Sequence, residues 1–209
     1  MCLACRGAGY REASSGSAVV WNASAGLSTS PEYSLRAHSG VTCGMFHETS
    51  AHTVLGGTQS GQVVLWDLRS GAVPVSRTTL TAAGHTHPIV GIQVVGAAGS
   101  QNLVTVCRDG RMCVWSLPLL GDPVETWELT SRGVGGAAGG SVAAMSVSFD
   151  RGGGAEDYLV GGEDGDVWRG SRKAKLTGRM EGHVAPVTGL SMHPFSEAPK
   201  RDFSHTVRL

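Results

Sequence analysis

A short motif that recurs along the chain constrains its fold more than any other feature. In its clearest form, residues 56–68 (GGTQSGQVVLWDL), a strand of small residues is followed by a Ser-Gly turn and an apolar run ending in Trp-Asp. Related stretches end at Trp21, Trp66, Trp115 and Trp168, which are 45, 49 and 53 residues apart. Four-stranded propeller blades repeat every ~40–45 residues, with loop insertions added to that length. The spacing therefore predicts a repeat protein.

The repeats predict an all-β chain that folds as an incomplete WD40-type β-propeller, with about three and a half blades of four antiparallel strands. Short β-branched and aromatic runs bounded by turn residues mark the strands, and no amphipathic helix is indicated. We expect residues 1–16 to be an unstructured or mis-assigned start, and residues 17–209 to form the partial propeller. Its parts are a blade part at 17–37, blades at 38–80, 85–129 and 141–180, and a blade start at 183–209 whose strand is predicted at 187–193.

The composition indicates a folded chain without a strongly charged partner. The sequence is 41% hydrophobic and 16% charged, with a formal net charge of zero, so no nucleic-acid partner is indicated. No apolar run approaches the roughly 20 residues of a membrane span, and the start has no signal-peptide core, so we expect no membrane partner. Five cysteines without framework spacing favour a reducing compartment, and we expect a cytosolic protein.

Alignment of the repeats gives a set of polar residues that we expect to hold each blade together. In the second blade these are His85 before the first strand, Thr105 in the second strand, Asp109 in the turn and Trp115 in the third strand. A buried Asp109 needs a donor, which His85 can supply, and the Thr105 hydroxyl and the Trp115 indole N–H would complete the chain. The corresponding residues elsewhere are His38 and Trp66 in the first blade, Asp164 and Trp168 in the third, and His183 ahead of the fourth.

We predict no enzymatic activity, no cofactor and no metal site. A His, a hydroxyl and an Asp also describe a hydrolase triad, but catalytic groups do not recur blade after blade, and no oxyanion hole is indicated. Cys2 and Cys5 have half the spacing of a zinc site, with no second pair. Cys107 and Cys113 flank one hairpin and could face each other across it as small buried hydrophobes. No glycine run is followed by the lysine of a phosphate loop.

Several segments resemble the propeller of the dynein intermediate chains, most nearly the cytoplasmic one. The resemblance covers roughly residues 17–209. The segments are PEY (31–33), LGGTQSGQVVLWD (55–67), AAGHTHPIV (82–90), DGRMCVWSL (109–117), VGGEDG (160–165), EGHVAPVTG (181–189) and DFSH (202–205).

The resemblance implies a non-catalytic scaffold subunit of the dynein motor complex. Its propeller would bind the dynein heavy chain and support microtubule-based transport in the cytoplasm and at the cytoskeleton, with the cilium as a further location. Dynein light chains and dynactin would bind a region that this chain lacks. After residue 205 the family continues through another strand before Thr-Val-x-Leu-Trp, whereas here residues 206–209 follow at once. We expect the resulting open arc to aggregate alone or to need a partner, because it leaves strand edges unpaired.

One alternative function remains open, that of a WD40 substrate receptor or adaptor in another complex, such as a ubiquitin ligase. Asp67-Leu-Arg69 matches a short adaptor motif, although Trp-Asp-x-Arg endings are common among propellers. Exposed Arg69, Arg77 and Arg111 are candidates for heavy-chain contacts, and solvated rim charges are the competing interpretation of each.

Overall fold

Antiparallel strands make up the secondary structure of the chain. The structure is a computed structural model, and it describes residues 2–6, 15–22, 30–96, 101–132, 138–149, 157–172 and 175–192. Within these ranges it contains seventeen strands and no helix. The strands are β1 (Cys2–Arg6), β2 (Gly16–Trp21), β3 (Tyr33–Ala37), β4 (Val41–Phe46), β5 (Thr53–Thr58), β6 (Val63–Asp67), β7 (Ser76–Arg77), β8 (Ile89–Val95), β9 (Asn102–Cys107), β10 (Arg111–Ser116), β11 (Glu125–Glu128), β12 (Thr130–Arg132), β13 (Ala138–Ser141), β14 (Ala144–Phe149), β15 (Asp157–Gly162), β16 (Val167–Ser171) and β17 (Lys175–Met180).

Three sheets of four strands succeed one another along the chain and form the blades. Strands pair in chain order within each, so that β4–β7 is the first blade, β8–β11 the second and β14–β17 the third. A three-stranded sheet, β1–β3, precedes them, and β12 and β13 form a separate two-stranded ribbon. The inner strands are adjacent, with β1 against β4, β4 against β8 and β8 against β14. The predicted fold class, an all-β incomplete propeller, is confirmed.

The second strand of each blade is covered on both faces. β5, β9 and β15 each begin with one half-buried residue, followed by five buried ones. Because neighbouring sheets pack on both sides, these strands read as continuous apolar and small-residue runs with no alternation. Apolar clusters fill the spaces between successive sheets. Representative members are Val20, Val54 and Trp66 ahead of the first blade, Leu55, Leu103 and Trp115 between the first and second, Met112, Tyr158 and Trp168 between the second and third, and Leu159, Val167 and Val187 beyond the third.

The structure differs from the sequence prediction at both ends of the arc. Within residues 1–16, expected to be unstructured, Cys2–Arg6 is a strand paired antiparallel with Ser17–Trp21 of β2. The strand predicted at 187–193 is not a strand in its described part, although the Val187 N–H donates to the Gly162 carbonyl (3.1 Å) and the Met192 N–H donates to Ser148 Oγ (3.0 Å). With the Ser146 Oγ–H that donates to the Val187 carbonyl oxygen (2.7 Å), these are isolated bonds and not a strand ladder. In the described part of the chain, no helix is long and apolar enough to cross a membrane.

Candidate functional site

The tight turns between the second and third strands carry the feature that the blades share most closely. Gly61, Gly110 and Gly165 have φ values of 86°, 83° and 91°, in the left-handed region that favours glycine. A Cβ on them would lie 2.5, 2.3 and 2.2 Å from a carbonyl oxygen of the segment that leads into the next blade. Glycine is therefore required at each of these turns for two reasons: its φ is positive, and a carbonyl oxygen ahead of the next blade lies too close for a side chain.

His85, Thr105 and Trp115 form a buried hydrogen-bonded chain in the second blade. Thr105 Oγ1 accepts the Trp115 Nε1–H at 2.7 Å and lies 2.6 Å from His85 Nε2. The Thr105 hydroxyl proton has two acceptors within reach, His85 Nε2 and the Cys113 carbonyl oxygen at 3.4 Å, and His85 Nδ1 lies 3.7 Å from Cys113 Sγ. Burial lowers the pKa of His85 to about 4, so the ring is neutral at pH 7.

Asp109 lies outside that chain, although the sequence analysis placed it there. Its Oδ1 accepts hydrogen bonds from the Arg111 backbone N–H (3.1 Å) and from the Cys107 thiol, and its Oδ2 lies 3.2 Å from His87 Nδ1. Partial burial acts to raise the pKa of Asp109, but these donors and neighbouring cations outweigh it and the pKa is lowered. A turn Asp readily bonds the N–H two residues on, and His85 is already engaged. The expected His85–Asp109 bond is replaced by turn contacts, which also removes the geometry of a triad.

The first blade lacks the hydrogen-bonded chain because it has no hydroxyl at the required position. Gly56 occupies the place in β5 that Thr105 occupies in β9. The Trp66 Nε1–H donates instead to the Arg36 carbonyl oxygen on β3 at 3.0 Å. The Trp66 ring covers Gly56, where a Cβ would lie 2.6 Å from it. His38, which has no hydroxyl to meet, is exposed. Trp66 thus ties the first blade to the preceding sheet.

Trp168 does not occupy the position of Trp66 and Trp115. Those two residues come five positions after their turn glycines, and the fifth position after Gly165 is Gly170. The strand pairing leads to the same conclusion. Gly170 lies opposite the position of the second strand that faces the tryptophan in each of the other two blades. This corrects the alignment in which the three tryptophans were treated as equivalent.

Tyr158 fills the space that a tryptophan at position 170 would take. It lies opposite Gly170, and a Cβ there would come within 2.3 Å of the Tyr158 ring. Tyr158 is 1% exposed and packs against Phe149 with ring centroids 5.9 Å apart. The sequence analysis missed Tyr158, and counting residues from Gly165 was the signal that would have found it.

Trp168 is instead covered by an ion pair. The Arg179 guanidinium carbon lies 5.4 Å from the centroid of the Trp168 ring, a favourable arrangement for a cation on an aromatic face. Arg179 Nε donates to the buried Asp166 Oδ2 at 2.6 Å. The Arg179 side chain therefore ties β17 to Asp166, the residue just ahead of β16, while it covers the indole ring.

Asp164 and His183 lie around the turn of the third blade. Asp164 Oδ1 accepts the Asp166 backbone N–H at 3.3 Å, the same local contact that Asp109 makes with the Arg111 N–H. His183 is half-buried, in the segment whose carbonyl meets the turn glycine. The structure brings three of the nine predicted network residues, His85, Thr105 and Trp115 of the second blade, into one hydrogen-bonded chain.

The cysteines of the second blade do not face each other. Cys113 lies opposite Thr105, while Cys107 adjoins the turn. Burial raises the pKa of both thiols, that of Cys113 to about 12, so neither is a reactive thiolate. Among the described residues, no group of three or more His, Cys, Asp or Glu side chains could hold a metal ion. The side chains of Cys2 and Cys5 lie outside the described residues.

The three candidate arginines have different environments. Arg69 donates to its neighbour Asp67 through its backbone N–H (2.9 Å), Nε (3.0 Å) and Nη2 (2.8 Å), and these bonds lower the pKa of Asp67 to about 2. Arg111 Nη1 donates to the Ala82 and Gly84 carbonyl oxygens at 3.0 Å, which is a structural role. Arg77 is exposed on β7.

Successive four-stranded sheets with adjacent inner strands, joined by equivalent glycine turns, define an arc of a WD40-type β-propeller. Proteins of this class present surfaces for partners around a repeated scaffold.

Comparison with known proteins shows which members of this class the chain is similar to. No protein family model matches the chain. Over 194 residues the chain is 37% identical to cytoplasmic dynein 1 intermediate chain of Drosophila melanogaster, an alignment that covers 91% of this chain and 28% of that protein. The resemblance to the dynein intermediate chains is thereby confirmed, and the chain spans 28% of the length of this relative.

The fold comparison includes the crystal structure of Raptor from Chaetomium thermophilum. It superposes with a TM-score of 0.61 at 16% identity and covers 86% of this chain and 15% of that one. Similarity at this identity shows the fold alone.

Proposed function

We propose that this chain is part of the propeller of a dynein intermediate chain and serves as a non-catalytic scaffold in the dynein motor complex. The observation that carries the proposal is the 37% identity over 91% of the chain. The same region shares only 16% identity with the Raptor structure despite the common fold. The identity to the intermediate chain is therefore higher than the shared architecture requires.

In this proposal the propeller binds the dynein heavy chain in the cytoplasm, at microtubules. Dynein light chains and dynactin would bind the intact protein outside these residues, and a ciliary role would depend on which heavy chain is bound. The outer rim of the first two blades supports a docking role, because it exposes large apolar side chains that a scaffold would cover. They are Val73, Val75, Leu80, Leu119 and Val124, each 58–77% exposed.

Co-expression with the tail of the cytoplasmic dynein heavy chain from the same organism tests the proposal. We expect the 209-residue chain to co-elute with the tail in size-exclusion chromatography. Leu119→Glu should weaken binding by about tenfold or more, because a charge would be buried at the contact. Val184→Glu is the matched control, since Val184 is fully exposed and lies beyond the third blade, away from this rim.

Two outcomes separate the parts of the proposal. If the chain fails to co-elute while the Drosophila intermediate chain binds its own heavy-chain tail in the same assay, the scaffold assignment is wrong. If the chain co-elutes and Leu119→Glu binds as well as Val184→Glu, the scaffold assignment stands and the rim is not the contact.

A further inference from the structure

Three buried polar groups lie between the second and third blades and have no hydrogen-bond partner among the described residues. They are the indole Nε1–H groups of Trp127 and Trp168 and the hydroxyl of Tyr158. Tyr158 is 1% exposed and Trp168 is 9% exposed, so bulk solvent does not reach them. Because buried polar groups in folded proteins are nearly always hydrogen-bonded, these three groups require a partner.

The three side chains meet in one apolar cluster. Tyr158, Val160 and Trp168 belong to the cluster between the second and third blades, and Trp127 packs against it from β11. Trp168 lies opposite Val160 in the pairing of β15 with β16, and Tyr158 precedes Val160 by two positions. These three side chains therefore point to the same face of the sheet. Burial raises the pKa of Tyr158, and the Trp127 indole beside its hydroxyl acts against this rise.

The cluster offers more hydrogen-bond donors than acceptors. An indole N–H only donates, whereas a tyrosine hydroxyl both donates and accepts. If the Trp127 N–H were to bond the Tyr158 oxygen directly, the Tyr158 O–H and the Trp168 N–H would still lack an acceptor. The other members of the cluster are apolar, so their side chains supply none.

The preceding interface, between the first and second blades, meets the same demand with a hydroxyl. There Thr105 Oγ1 accepts the Trp115 Nε1–H at 2.7 Å. Val160 is the counterpart of Thr105 in the third blade, and its side chain has no hydroxyl. Water supplies both acceptor and donor capacity, and it brings no charge into an apolar interface.

We propose that ordered water is bound between the second and third blades, where it accepts the Trp127 and Trp168 indole N–H groups and bonds the Tyr158 hydroxyl. It has the role in this interface that the Thr105 hydroxyl has in the preceding one. The site is defined by its own polar groups and does not depend on the motor assignment.

Water–protein cross-relaxation in NMR tests the proposal on the 209-residue chain labelled with nitrogen-15. We expect the Nε1–H of Trp127 and of Trp168 to show cross-peaks with water of the sign that a long-lived contact gives. Trp127→Phe and Trp168→Phe assign the two resonances by removing them. Trp66 is the internal control, because its buried Nε1–H donates to the Arg36 carbonyl oxygen at 3.0 Å and should show no such cross-peak.

Tyr158→Phe tests the same site through stability, because a bonded and an unpaired hydroxyl predict effects of opposite sign. If water bonds the hydroxyl, its removal deletes a buried hydrogen bond, and the Tm should fall by about 2–4 °C. If the hydroxyl is buried and unpaired, its removal should raise the Tm. Tyr33→Phe is the matched control, because Tyr33 is a half-buried tyrosine of the cluster ahead of the first blade. It should change the Tm by less than Tyr158→Phe does.

Two results overturn the proposal. The first is that the Trp127 and Trp168 N–H groups show no more contact with water than the Trp66 N–H does. The second is a Tm that does not fall in Tyr158→Phe, since any water cross-peak would then come from exchange of an unpaired hydroxyl proton.

Discussion

Replacement of Thr105 by valine removes one hydroxyl from the centre of the second blade and leaves two polar groups without a partner. The Trp115 Nε1–H and His85 Nε2 both bond this hydroxyl, at 2.7 and 2.6 Å, and both residues are buried. Valine has nearly the same shape, and the third blade has Val160 at the corresponding position. The substitution therefore tests the hydrogen bonds with little change in packing.

The expected loss follows from the two stranded groups. An unpaired buried donor or acceptor costs about 1–3 kcal/mol, and the added methyl group recovers about 1 kcal/mol of apolar burial. Two such groups cost about 2–6 kcal/mol together, so we expect the free energy of unfolding to fall by about 1–5 kcal/mol. For a chain of this length that corresponds to a lower Tm by on the order of 10 °C.

Urea unfolding followed by tryptophan fluorescence measures this loss on the 209-residue chain. Thr79→Val is the matched control, because the exposed Thr79 hydroxyl bonds the Gly121 carbonyl at 3.4 Å and its removal should change stability by less than about 0.5 kcal/mol. Thr105→Ser keeps the hydroxyl and should recover most of the loss. If Thr105→Val and Thr79→Val unfold at the same urea concentration, the chain of bonds does not stabilise the blade.

Three further predictions concern other parts of the arc. His85 has a folded-state pKa of about 4, below its ordinary 6.5. The unfolded chain therefore takes up the proton first, and stability is complete above pH 6.5 and falls towards pH 4. Urea melts should show a loss of about 2–3 kcal/mol between pH 7 and pH 4.5, and a smaller one in His85→Gln. Gly110→Ala should lower the Tm more than Gly71→Ala. Both glycines have a positive φ, but only at Gly110 would the added Cβ overlap a carbonyl oxygen, that of Val142. Gly170→Ala should destabilise by about 1–3 kcal/mol through overlap with the Tyr158 ring, and Gly170→Ala combined with Tyr158→Leu should recover part of it; equal melts for the single and double variants would contradict this.

The middle strands of each blade could be predicted from sequence because their signal is local. A glycine turn joins them, and both are largely buried, so continuous runs of apolar and small residues mark where they lie. The outer strand of the first blade, predicted to end with the blade at residue 80, is short: β7 is Ser76–Arg77. An outer strand pairs on one side only, and exposed Val75 and Leu80 flank it. An apolar pattern then does not define where pairing stops.

The first strand could not be predicted because its partner lies elsewhere in the chain. Cys2–Arg6 carries no repeat signature, and its pairing is set by β2 and by contact with β4. The ribbon of Thr130–Arg132 and Ala138–Ser141 likewise lies in a glycine-rich stretch between the predicted blades at 85–129 and 141–180, where no strand is predicted. In both cases tertiary contact decides the structure and local propensity does not.

The third blade shows why the hydrogen-bonded chain did not transfer between repeats. Relative to its turn glycine, Trp168 comes two positions earlier in β16 than Trp115 does in β10. Side chains in a strand alternate with a period of two, so Trp168 still faces the preceding blade. Its ring is displaced by ~7 Å along the strand. Tyr158 opposite Gly170 then supplies the missing ring volume. Each interface between blades needs a filled apolar space, which several residue combinations satisfy. A hydrogen-bonded chain needs the hydroxyl of Thr105 and the indole in one register, and the described residues meet that condition in the second blade.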